Sequence, residues 1–108
     1  MTRDEAVKKH RAMWRWIAEQ IESQKKRLCI PLLKDIYCRV NGDKILLNCY
    51  CCEYASMKIK GCEDCPIAWP GWGCASGGLY TQVVDETNWK VQARIARRIA
   101  ELPERDEE

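Results

Sequence analysis

The sequence predicts a mainly α fold: a small single domain in which two long helices and one short one clasp a cysteine- and glycine-rich loop region stapled by zinc. Three observations carry this expectation. Apolar side chains recur with the helical period toward both ends of the chain. Residues 49–78 show little periodicity, yet hold six of the eight cysteines and five of the six glycines. A chain of 108 residues fits one domain and buries only roughly 60–70 % of its unfolded surface, so loops of this composition need another anchor.

The first helix is predicted from about Thr2 to Lys26. Thr2 followed three residues later by Glu5 has capping-box spacing, and Asp4 favours a helix N-terminus. Ala6, His10, Met13, Trp14, Ile17 and Ile21 share one face, while Glu19, Glu22 and Lys26 fall elsewhere. Such a helix is roughly 37 Å long. Trp14 and Trp16 cannot point the same way, so Trp14 is expected in the core and Trp16 exposed.

A shorter helix is expected from Pro31, a residue suited to the first turn. Leu32, Leu33, Ile36, Tyr37 and Val40 form its apolar stripe, and Asn41-Gly42 ends it. Residues 44–48 read as a short strand or an extended lead-in. The last helix is expected from an N-cap at Asp85 to Leu102, with Trp89, Ala93, Ala96, Ile99 and Ala100 facing inward and Pro103 as its stop. Residues 103–108 read as a frayed acidic tail. With no repeat and no linker, residues 1–108 form one domain.

Eight cysteines would suggest disulfides in a secreted chain. The N-terminus, however, leads into an amphipathic stretch rather than a signal-peptide apolar core, and no window approaches a membrane span. The expectation is a soluble, cytoplasmic protein with reduced thiols. Cys49-x2-Cys52, nine residues, then Cys62-x2-Cys65 gives two tight-turn knuckles that converge on one tetrahedral site. Four thiolates leave no open position, which is the pattern of structural zinc. Cys51 lies beside Cys52, and Cys74 is an alternative ligand, with Cys52, Cys62, Cys65 and Cys74 as the second set. Cys29 and Cys38 read as small buried hydrophobes.

The net charge of +2 is too small to announce a nucleic-acid binder. Locally the balance differs. Residues 1–27 carry eight basic against four acidic side chains, and residues 90–98 hold Lys90, Arg94, Arg97 and Arg98 with no acid. If the long helices are antiparallel neighbours, Arg11 and Arg15 join Arg94, Arg97 and Arg98 in a patch for a phosphate or an acidic protein surface. Trp16, Trp69 and Trp72 are the candidate aromatic contacts, since exposed Trp stacks on bases and anchors partners. His10, the only histidine, reads as a core residue. One histidine, no Walker loop and no GxGxxG point away from an enzyme.

Several segments occur together in a telling order: Trp14-x-Trp16-Ile17-Ala18, Cys52-Glu53-Tyr54-Ala55, Cys62-x2-Cys65-Pro66-Ile67-x-Trp69, and Ile95-Ala96-Arg97-Arg98-Ile99-Ala100-Glu101-Leu102-Pro103. Together they resemble a family of small, mostly uncharacterised cysteine-rich proteins encoded by phages and prophages of Gram-positive bacteria. The resemblance spans nearly the whole chain, and Cys51 departs from it. It implies a setting in the bacterial host cell and action by binding. The favoured partner is a host protein, such as a defence component. A signalling nucleotide held by the arginines and a tryptophan is the alternative, and a nucleic-acid-binding regulator comes third. An apolar stripe left exposed on a helix would add a homodimer.

Overall fold

The structure, a computed structural model, describes residues 2–43, Tyr50, residues 66–67 and residues 78–104. These form four helices: α1 (Arg3–Gln24), α2 (Ile30–Val40), α3 (Leu79–Asp85) and α4 (Trp89–Ala100). The expected strand or lead-in at 44–48 lies outside the described residues, as does most of the loop region.

Helix α1 starts where the sequence places it. The Thr2 hydroxyl accepts from the Glu5 backbone N–H at 3.2 Å, with Asp4 and Glu5 in the first turn. It ends at Lys25, which adopts a left-handed φ of 52° and donates its N–H to the Ile21 carbonyl. Its buried face comprises Ala6, Val7, His10, Met13, Trp14, Ile17, Ala18 and Ile21. Among the described helices the principal packing sets this face against α4. Ala93, Ala96 and Ala100 on α4, with Ala6 and Ala18 on α1, keep the contact surface low, and Ile99 fills the space between. Contacts run in opposite senses along the two helices: His10 Nε2 lies 3.4 Å from the Ile99 carbonyl, and Arg3 pairs with Glu104 at 3.6 Å. The helices are therefore antiparallel. His10 is fully buried, with its ring 6.4 Å from that of Trp14, which makes it the expected core histidine.

The C-terminal third differs from expectation. The last helix runs from Trp89 to Ala100 rather than from Asp85 to Leu102, and Asp85 is not its N-cap but the last residue of a further helix, α3. Asn88 caps α4 by accepting from the Lys90 N–H at 3.0 Å, while Glu86 Oε1 accepts from the Asn88 N–H. Both Asp85 and Asn88 are competent caps, and the break falls at the one three residues later. Arg27 fixes the junction by donating from Nε to the Glu86 carbonyl at 2.7 Å and from its terminal nitrogen to the Val84 carbonyl at 2.8 Å. Those carbonyls lie at the end of a helix, where intrahelical partners run out.

Gln92, fully buried on α4, holds three segments together. Its amide nitrogen donates to the Leu28 and Val83 carbonyls, and its oxygen accepts from the Leu28 N–H. Helix α2 adds Ile30, Leu33 and Cys38 to the core. Ile67 forms an isolated antiparallel bridge with Glu104, so Glu104 is placed rather than frayed. Residues 105–108 of the expected tail lie outside the described residues. No helix among the described residues is long and apolar enough to cross a membrane.

Candidate functional site

The expected zinc ligands Cys49, Cys52, Cys62 and Cys65, the alternative Cys74, the neighbouring Cys51, and Trp69 and Trp72 all lie outside the described residues. Among the described residues no group of three metal-capable side chains comes together. The structure does show how the cysteine-rich run joins the helical frame. Tyr50, flanked by Cys49 and Cys51, is fully buried. Its hydroxyl donates to Asp43 Oδ2 at 2.8 Å, and Lys9 Nζ donates to Asp43 Oδ1 at 3.2 Å. Lys9 also stands 5.5 Å from the Tyr50 ring centre, and Tyr37 meets that ring edge-on at 6.3 Å.

The electrostatics of this cluster follow from its burial and its bonds. The Tyr50 hydrogen bond, aided by Lys9, holds the Asp43 carboxyl below its usual range. Burial, together with the Asp43 bond, drives Tyr50 far above an ordinary phenol. Burial also raises Cys38, partly offset by its hydrogen bond with Tyr50. Cys38 is thus a neutral thiol, weak as a nucleophile or metal ligand, and its burial is as expected. Cys29, by contrast, is exposed at the N-cap of α2, because the chain turns there between the two helices.

The candidate arginines differ in what they touch among the described residues. Antiparallel packing brings Arg97 against the C-terminal half of α1, where Glu22 accepts from its Nε at 2.7 Å. That hydrogen bond, with the charges of Glu22, Glu19 and Glu101, raises the Arg97 guanidinium further. Arg11 and Arg15, on the N-terminal half of α1, instead line a shallow groove of about 340 Å³ with Asp4, Val7, Lys8 and Glu104. Arg11 donates to the Leu102 carbonyl at 3.3 Å, and its Nε is shielded from solvent with no hydrogen-bond partner among the described residues. Arg94 and Arg98 stay exposed on α4. Trp16 is half-buried rather than exposed, with its ring 5.4 Å from that of Tyr37.

A third surface was not anticipated in this form. The apolar stripe expected on α2 divides: Leu33 points inward and Tyr37 is half-buried, while Leu32, Ile36 and Val40 are 56 %, 37 % and 79 % exposed. Asp35 and Arg39 run beside these three, paired at 3.0 Å. The signal was present in the sequence as an excess of apolar positions. Five on an 11-residue helix, with Ile30 and Cys38 also apolar, are more than one buried face accommodates.

Compared with protein-family models, curated proteins and solved structures, the chain matches none of them.

Proposed function

We propose that this chain is a non-enzymatic, zinc-stapled phage or prophage protein that acts by binding a host protein, and that sequestering this target antagonises host anti-phage defence. The observation that carries the binding reading is the exposed row Leu32, Ile36 and Val40 on α2. Scattered single apolar residues need no explanation, but three in register on one helix form a surface that gains from being covered. The two CxxC knuckles, Cys49-x2-Cys52 and Cys62-x2-Cys65, support a structural zinc that fixes the loops beside this frame. The phage setting rests on the resemblance carried by the Trp14–Ala18, Cys52–Ala55, Cys62–Trp69 and Ile95–Pro103 segments.

A second reading, sequestration of a signalling nucleotide, draws on the Lys8, Arg11 and Arg15 groove and the unmatched Nε of Arg11. A phosphate oxygen would supply an acceptor for that Nε, beside the Asp4 and Glu104 carboxylates that also line the groove. Arg97, engaged with Glu22, contributes less to such a site than the sequence suggests.

Native mass spectrometry of the purified chain before and after incubation with host lysate separates these readings. The favoured one predicts one zinc per chain and one specific protein complex. That complex should be lost in Val40→Asp and kept in Arg98→Glu. A nucleotide-mass adduct that disappears in Arg15→Glu supports the second reading. Capture unaffected by Val40→Asp removes the α2 face from the first.

A further inference from the structure

Asp35 and Arg39 carry opposite charges four residues apart beside the exposed row Leu32, Ile36 and Val40. That arrangement has a symmetry property. Two copies of a helix related by a two-fold axis perpendicular to it present the same flank to each other with the residue order reversed. Leu32 then meets Val40 of the second copy, Ile36 meets its own equivalent, and Asp35 stands opposite Arg39 twice. The register that centres the apolar row and the one that centres the charges differ by two residues, about 3 Å along the axis, a gap within the reach of the long Arg39 side chain. A parallel pairing would carry the Asp35 and Arg39 flanks of the two copies to opposite sides of the seam, where they gain no pairing across it.

We propose that α2 docks, antiparallel, on α2 of a second copy of this chain. The inference rests on the reading of this face as the binding surface, and it makes self-association and target capture mutually exclusive. A single 11-residue helix with three exposed apolar side chains lies at the low end of interface sizes, below about 1,200 Å². The dimer is accordingly weak and concentration-dependent, and it yields the face to a partner that covers more of it.

Sedimentation equilibrium of the full chain, in reducing buffer because Cys29 is exposed, tests this from roughly 10 μM to 1 mM, a range that brackets weak association. The expected result is a monomer–dimer equilibrium abolished by Val40→Asp. Asp35→Arg should weaken it about tenfold, and Asp35→Arg combined with Arg39→Asp should bring it back to within about threefold of the parent. Circular dichroism checks that the variants keep their helices. A chain monomeric at every concentration overturns the proposal, and so does a dimer indifferent to Val40→Asp or one in which the double reversal fails to rescue. A monomer that still captures a host polypeptide through Val40 assigns the face to a foreign partner, so self-docking fails while the binding reading survives.

Discussion

Among the described residues, the Gln92 side chain ties three segments together. Its amide, itself fully buried, serves the Leu28 N–H and the carbonyls of Leu28 and Val83. Replacing it with Leu keeps much of the volume but strands three backbone groups, and a stranded buried group costs about 1–3 kcal/mol. Gln92→Leu should therefore lower stability by about 2–4 kcal/mol in urea unfolding. A loss under about 1 kcal/mol would mean that water or relaxation takes over those bonds. Asp43 makes a prediction about pH. Its folded pKa lies below the ordinary carboxylate value of 3.8, so its stabilising contribution is present above that value and is lost as pH falls through the folded pKa. The stability gap between the parent and Asp43→Asn should hold from neutral pH down to about pH 5 and close in stronger acid. A gap that is constant with pH would reduce Asp43 to a packing role.

At the level of elements, Lys25 closes α1 in a left-handed conformation that costs a residue with a Cβ about 1–2 kcal/mol. Glycine removes that cost and gives back part of the gain through its freer unfolded chain. Lys25→Gly should stabilise by about 0.5–1 kcal/mol, seen as a rise in Tm; a lower Tm would show that the lysine side chain contributes elsewhere. Helices whose signals agree were legible in the sequence. In α1, Thr2, Glu5 and the His10–Met13–Ile17–Ile21 face all point to one answer, and the helix starts as expected. The α3–α4 break was not legible, because Asp85 and Asn88 compete as caps and the Arg27 clamp that settles the contest comes from 57 and 59 residues away. The split of the α2 stripe was hidden for a related reason: periodicity finds an apolar face but does not say how much of it neighbours cover. The Arg97–Glu22 pairing was not legible, because the antiparallel register is a property of packing rather than of local sequence.

At the scale of the whole molecule, the helical frame and the cysteine-rich run meet at Tyr50, so a metal held by Cys49, Cys52, Cys62 and Cys65 would link loop order to frame stability. Cys62→Ser should lose one zinc equivalent and most of the thermal stability, read by metal analysis and calorimetry on the same sample. A variant that keeps the parent Tm would detach zinc from folding altogether. The pairing of the first helix with the last also has a consequence for how the chain is made. Glu22 and Arg97 are 75 residues apart, and His10 and Ile99 are 89 apart. At a synthesis rate of about 5–20 residues per second, Glu22 waits roughly 4–15 s for its partner. Throughout that interval Trp14, Ile17 and Ile21 have no α4 to cover them, so the nascent chain is an early client for chaperones and commits to its fold only as its last helix emerges.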